Sequence, residues 1–470
     1  VPPRDDVRPH VVVVGGGITG LSTAWFLRHQ ARVTVLEAAD RLGGKIRTSS
    51  LAGVPVEEGP DTFLARVPHA RDLAVAIGLG DDLVPPATGK AFVWGRGRLR
   101  PLPGGQVLGV PISLRPLMRS GVLGPAAIAR AGLDLVLPRS RPGLSTDPSV
   151  ADVIGARMGR AVVDRLVEPL VGGINAGRAD DLSLAATAPQ LGEAAASSRS
   201  LILGLRRSRP AGGSAAAGPL FLGVTGGLGR LVDRLTAALR EVGVDIRSGV
   251  AVSGVEPDGA GGYRVVTANG AVEAAAVVVT VPAFAAAPLL RGSAPAVAAD
   301  LERIRYASVA VATLAYRPED LPSPLDGAGF LMPRVERRLM TACTWSTSKW
   351  PALAASGSVL VRASAGRSGD DRPADLDDAE LVAHLHRELS DVMGMRRPPV
   401  THLVSRWPNG FPQYQPGHQR RIDRIEVGLA TAMPGVTLAG AAYRGLGIAA
   451  CVRQAEEAAS TLLARLTPPS

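Results

Sequence analysis

The 470 residues amount to about three domain equivalents of roughly 150 residues each, and with 46% hydrophobic and 20% charged residues they exclude wholesale disorder and a small disulfide-stapled module. The balance of 52 Lys+Arg against 42 Asp+Glu leaves +10 at pH 7, almost all of it from arginine, since the only lysines are Lys45, Lys90 and Lys349. No basic stripe interleaved with aromatics accompanies that charge, so it points to a carboxylate or phosphate ligand and away from nucleic acid, while the lone Cys343 and Cys451 imply no disulfide framework, no metal site and a reducing, cytoplasmic setting.

The chain opens with strand, glycine turn, helix and strand: HVVVV, GGGITG, LSTAWFLRHQ and RVTVLE, one βαβ unit. The apolar run Val11–Val14 is too short for the hydrophobic region of a signal peptide, so the start reads as part of the domain. Gly15, Gly17 and Gly20 form G-x-G-x-x-G between strand and helix: the first permits the turn, the second the approach of a pyrophosphate, the third close helix packing. Glu37, at the end of the next strand, is placed to accept hydrogen bonds from ribose hydroxyls. A second glycine turn follows in RLGGK, where Arg41, Gly43 and Gly44 offer a cation and open backbone to phosphate.

Between residues 111 and 219 the period is helical. Its most apolar stretch, Leu117–Leu137, is interrupted by Arg119, Arg130 and Asp134, which excludes a bilayer span and leaves at most peripheral membrane contact. The Gly/Ala/Ser/Arg tract Arg206–Gly218 reads as a mobile connection. A helix is predicted from Thr225 as N-cap, with Leu228, Leu231, Val232, Leu235, Leu239 and Val242 on one face. The short strands that follow, ending in the apolar run before Pro282, resume the opening sheet. Strands and helices mix from Ala287 to Ile425. The chain closes with the strand GVTLAG, a turn punctuated by Gly440, Gly445 and Gly447, and a helix Ile448–Leu466 whose positive end would face a planar ring gaining negative charge.

The fold class is therefore α/β with interleaved units. Residues 10–85, 220–286 and 426–470 are expected to form a dinucleotide-binding domain, 86–110 and 287–425 a substrate domain on a mixed sheet, and 111–219 a helical insert.

The extended first turn resembles the signature of flavoproteins with the glutathione-reductase type of dinucleotide fold. Further segments, EEGPDTFLAR (Glu57 to Arg66), VEPLVGGINAGRADDLSL (Val167 to Leu184), GFLMPR, WSTSKWP, RWPNGFPQYQPGH (Arg406 to His418) and the closing turn, are together similar to the protoporphyrinogen oxidase family, from about Val11 to Leu466. SKWP resembles the Gram-positive branch, whose members oxidise coproporphyrinogen III to coproporphyrin III. Where that branch usually reads GIYAGD, this chain has Gly173-Ile174-Asn175-Ala176-Gly177-Arg178, losing an aromatic and gaining a cation.

The resemblance implies FAD as cofactor. Gly15, Gly17, Gly20, Glu37, Arg41, Gly43 and Gly44 would hold its ADP part, with the Val252 backbone at adenine. Gly59 and Pro60 would lie beside the isoalloxazine, and Gly440, Gly447 and Ile448 at the flavin end. Arg66, Lys90 and Arg178 are candidate partners of substrate carboxylates, with Asn175 next to Arg178, and Tyr414 and Trp407 are candidates to line the cavity. His418 is read as structural, because the hydride transfer implied demands no titrating base, and no catalytic side chain is assigned. The implied partners are a tetrapyrrole substrate, dioxygen and a downstream chelatase, with the protein cytoplasmic or peripheral at the membrane. Oxidation of protoporphyrinogen IX stays open. So do a flavin amine oxidase, which shares the nucleotide motifs, and a non-catalytic tetrapyrrole carrier.

Overall fold

A computed structural model describes residues 8–137, 147–208 and 218–466. Most of the tract Arg206–Gly218 lies outside the described residues.

A five-stranded parallel sheet collects strands from across the chain, in the spatial order Asp245–Arg247, Arg32–Leu36, His10–Val14, Ala276–Val279 and Val436–Leu438. All four pairings are parallel, and both faces are covered, so the strands are apolar without alternation. Val11, Val13, Val35 and Val278 pack beneath the helices Ile18–Leu27, Gly229–Glu241 and Ile448–Leu466. Val12, Val14, Val277 and Val279 face the other way. There they meet a separate antiparallel sheet, Val252–Pro257, Tyr263–Thr267 and Gly270–Ala274, and the helix His418–Ala432, which inserts Ile422 and Ile425.

The expectation that the strands between Val244 and Pro282 all resume the opening sheet is corrected here. Only Asp245–Arg247 and Ala276–Val279 join it. The strands between them make antiparallel meanders, the pairing that short turns permit.

A seven-stranded mixed sheet runs Thr401–Pro412, Tyr306–Tyr316, Val359–Ala365, Met340–Trp345, Gly329–Leu331, Ala91–Gly95 and Arg98–Pro101. Only the contact between Gly329–Leu331 and Ala91–Gly95 is parallel. The helix Asp378–Met393, opened by an Asp377/Glu380 capping box, covers this sheet with Leu381, Leu385 and Leu389. Short helices between Leu114 and Arg207 form the insert around Ile154, Leu166, Leu182 and Leu191. Among the described residues no helix is long and apolar enough to cross a membrane.

Two helices run through the domain boundaries read from the sequence. Ala283–Leu290 crosses 286/287 and His418–Ala432 crosses 425/426, and both pack on the five-stranded sheet. The helix predicted from Thr225 begins instead at Gly229. Gly226 and Gly227 take φ of 81° and 102°, outside the helical region, and the Thr225 N–H donates to the Asp82 carbonyl. The helix is capped from outside: Leu228 N–H donates to the Glu57 carboxylate and Gly229 N–H to Thr48 Oγ1 at 2.9 Å. Val242 is 44% exposed, because it falls past the last helical turn.

Candidate functional site at the glycine turns

The two early glycine turns are stitched together. Gly43 N–H donates to the Gly16 carbonyl at 2.8 Å, and Gly17 bridges Gly43 in parallel. Gly15 has φ 107°, and a Cβ on Gly20 would stand 1.8 Å from the Gly15 carbonyl oxygen, so both positions require glycine. The helix Ile18–Leu27 has no side-chain cap and no acidic residue in its first turn, which leaves backbone N–H groups free for an anion. Glu37 accepts from Gly16 N–H at 2.6 Å and from Ala39 N–H at 2.8 Å, so its carboxylate is fixed at the strand end. Val250 N–H donates to the Glu37 carbonyl, which brings the start of Val252–Pro257 to the same corner.

Arg41 spends its guanidinium on the carbonyls of Leu42, Ile46 and Gly44 and has no carboxylate partner among the described residues. Lys45 likewise has none. Burial pushes its pKa down, with the Cys451 thiol opposing. Half-buried cations, open glycines and uncapped helix N–H groups on one crevice are what a pyrophosphate-bearing group requires, so these residues fit a bound dinucleotide.

Gly59 touches this crevice: a Cβ on it would stand 2.0 Å from the Lys45 carbonyl oxygen. The segment Glu57–Asp61 is clamped by the seven-stranded sheet and its loops. Trp407 Nε1 donates to the Glu58 carbonyl at 2.9 Å and Ser405 Oγ to the Glu58 carboxylate at 2.8 Å. Arg362 donates to the Gly59 carbonyl, and Lys349 Nζ pairs with Asp61 Oδ2 at 2.6 Å. Burial works against the charge on Asp61, but Lys349 and Arg362 outweigh it and hold its carboxyl below the ordinary value. Burial pushes Glu57 up to about 7, against the Leu228 N–H and Thr48 hydroxyl that favour its charge.

The closing turn is braced by side chains. Tyr414 is 3% exposed, donates to the Ala441 carbonyl at 2.8 Å and accepts from Gly445 N–H at 2.9 Å. Gln454 accepts from Arg444 N–H and donates to the Gly445 carbonyl. The helix Ile448–Leu466 then starts without an acidic residue in its first turn, its Cys451 thiol donating to the Leu446 carbonyl. His418 stacks on Tyr414 with ring centroids 4.1 Å apart and donates from Nε2 to the Tyr443 carbonyl at 2.8 Å. Burial pushes its pKa down to about 4.

Tyr414 and Trp407, expected to line the cavity, spend their polar atoms inside the scaffold, and Trp407 keeps part of its surface exposed. Asn175 is also internal, donating to the Val171 carbonyl at 2.7 Å. Among the candidate cations, Lys90 pairs with Asp326 at 2.5 Å, Arg178 lies 3.5 Å from Asp181, and Arg66 is exposed. Among the described residues no hydrogen bond or ion pair joins these three to one another. Sequence reading passed over Asp61, Arg362 and Gln454. A lone charge in the apolar strand VLVRASA and a lone amide on the apolar face of the last helix were the available signals.

These features define a dinucleotide-binding α/β protein with a second sheet laid against the crevice. The family described as flavin containing amine oxidoreductase matches residues 18–463. Coproporphyrinogen III oxidase of Bacillus subtilis (strain 168) is 36% identical over 473 residues, covering 98% of this chain and 99% of the relative. That of Staphylococcus aureus is 33% identical, covering 97% and 99%. A solved structure from Exiguobacterium sp. 255-15 that carries the name of a protoporphyrinogen oxidase superposes with TM-score 0.86 at 32% identity, covering 97% and 99%. The chain belongs to the flavin-containing amine oxidoreductase family and, within it, to the porphyrinogen oxidase branch.

Proposed function

We propose that the protein is an FAD-dependent oxidase that converts coproporphyrinogen III to coproporphyrin III in the cytoplasm, with dioxygen as acceptor. The observation that carries this reading is the convergence of both early glycine turns, the Gly59 segment and the closing turn around Lys45 and Cys451, in a chain alike over its whole length to enzymes of that name. In this reading Gly15, Gly17, Gly20, Glu37, Arg41, Gly43 and Gly44 hold the ADP part of FAD, with Val252 at adenine. Gly59, Pro60, Gly440, Gly447 and Ile448 border the isoalloxazine, and the seven-stranded sheet and insert receive the tetrapyrrole. The cofactor supplies the two-electron acceptor.

Each round takes a hydride from a carbon bridge of the macrocycle and a proton from a pyrrole nitrogen. Three rounds move six electrons and reduce three dioxygen to hydrogen peroxide. The protein's own part is orientation, exclusion of water and charge. The start of Ile448–Leu466, which carries no acidic residue in its first turn, would favour negative charge arriving at the flavin end. His418 is no base in this scheme: it is sealed under the closing turn with its pKa held near 4. Lys349 does not serve amine chemistry, being locked to Asp61. The porphyrin product would pass to a metal chelatase.

Mixing the FAD-loaded protein anaerobically with coproporphyrinogen III and, separately, protoporphyrinogen IX tests the reading. Coproporphyrinogen III is expected to bleach the flavin band near about 450 nm the faster, and air to restore it with porphyrin formed. A band that neither substrate bleaches overturns the assignment.

A further inference from the structure

The insert and the seven-stranded sheet meet at a charged cluster that the scheme above does not use. The segment Val163–Gly172 is wound as a π-helix with Pro169 inside it, a form that concentrates at functional sites. It carries Glu168, buried at 8% exposure, whose Oε2 accepts from Ala179 N–H at 2.6 Å. Arg334 and Arg367 face Glu168 from the loops of the sheet. Arg334 donates to the Ser368 carbonyl at 2.6 Å, but its Nε stands 3.6 Å from Glu168 Oε1, beyond a hydrogen bond. Arg367 is 7% exposed, and its buried Nε finds no hydrogen-bond partner among the described residues.

The neighbouring carboxylates are committed elsewhere. Both oxygens of Asp370 accept from Arg372 at 2.7 Å, and Asp370 comes only to 3.8 Å of Arg367 Nε. Both oxygens of Asp180 are held by Arg160. A guanidinium offers five donors in a rigid fork that matches a carboxylate, and burying one without hydrogen bonds is costly. The cluster also adjoins the closing turn. Ser368 N–H donates to the Ala176 carbonyl at 2.7 Å, Gln413 Nε2 to the Asn175 carbonyl at 2.9 Å, and the next residue, Tyr414, holds Ala441 and Gly445.

We propose that Arg334 and Arg367 form a carboxylate subsite for a propionate arm of the tetrapyrrole, with Glu168 as their internal counter-charge. This rests on the porphyrinogen reading and moves the main propionate contact from Arg178, which Asp181 already accompanies. A propionate entering the subsite takes the donors of Arg367 and competes with Glu168 for Arg334. Charge and hydrogen bonding, not shape, then discriminate the free acid from an ester.

The FAD-loaded protein is titrated with coproporphyrin III and with its tetramethyl ester. Wild type is expected to bind the acid more tightly. Arg367→Met is expected to weaken acid binding by about tenfold or more while leaving the ester unchanged. Glu168→Gln, which keeps an oxygen for Ala179 N–H but loses the competing charge, is expected to tighten acid binding several-fold. A purely structural role would shift both variants in one direction and both ligands together.

Arg367→Met that keeps its flavin spectrum and binds the acid like wild type overturns the subsite alone. Should Arg367→Met fail to retain flavin, Glu168→Gln decides: no gain in acid affinity overturns the subsite. Wild type that binds neither acid nor ester overturns the subsite together with the porphyrinogen reading.

Discussion

The turn Gly15–Gly20 is held by main-chain contacts and the neighbouring strand ends, with Gly43 N–H on the Gly16 carbonyl, Glu37 on Gly16 N–H and Thr280 Oγ1 on the Gly15 carbonyl. The closing turn Gly440–Gly447 is held by side chains: Tyr414, just past the strand Thr401–Pro412, reaches Ala441 and Gly445, and Gln454, on the helix that follows, reaches Arg444 and Gly445. The Gly59 segment follows the second pattern, with Arg362 and Lys349 arriving some three hundred residues later. The first turn rests on backbone approaches that only glycine permits. The other depends on a second sheet being folded and in register, so it should give way one hydrogen bond at a time, where the first fails outright.

Gly20→Ala is expected to break the first end. Its Cβ would meet the Gly15 carbonyl oxygen at 1.8 Å, and a clash with backbone cannot be relieved by a rotamer change; a cost of about 3 kcal/mol is expected, with purified protein lacking yellow colour and taking up no FAD. Tyr414→Phe should show the graded response at the other end. The ring stack with His418 stays, but Gly445 N–H and the Ala441 carbonyl lose their partner, costing about 1–3 kcal/mol. The expected result is a folded protein with weaker FAD affinity and a lower melting temperature.

Smaller effects come from two buried groups that titrate in opposite senses. His418 is held neutral down to about 4 in the fold, below its value near 6.5 in the unfolded chain. The unfolded state therefore takes the proton first, and this contribution to stability, full above pH 6.5, is lost as pH falls toward 4. Glu57 is raised to about 7, so the folded state keeps its proton longer. Its contribution is full below about pH 4.5 and is lost as pH rises through 7. Between those limits the two slopes oppose, neither steeper than about 1.4 kcal/mol per pH unit. Denaturant midpoints measured from pH 4.5 to 7 should show Glu57→Gln gaining on wild type as pH rises. His418→Gln should gain on wild type as pH falls, and a pH-independent difference for either variant would refute the assignment of its slope.

The closing helix Ile448–Leu466 was readable to its first residue, because a glycine-punctuated turn before an amphipathic run is local information. The helix after Thr225 has its N-cap at Leu228 and not at Thr225, since its cap comes from Glu57 and Thr48 on a distant hairpin. The alternation in Val252–Pro257 and Tyr263–Thr267 suggests members of the main sheet, because it reports a half-buried strand and not its partner. The two backbone partners of the Tyr414 hydroxyl are not visible in the sequence, because they lie in a turn reached only through the fold. Arg367, and Arg334 at the end of GFLMPR, carry no sign of their burial in the sequence, because an arginine there looks solvated until its burial is known.

By itself the sequence determined the opening strand–turn–helix–strand unit, its two glycine turns and the acid at the end of the second strand, because those features depend on backbone geometry within a few residues. The tertiary structure decided which cations are spent on carboxylates, which carbonyls are braced and which guanidinium is left with unused donors. Those are distances between residues far apart in the chain, set only when the two sheets and the insert pack together.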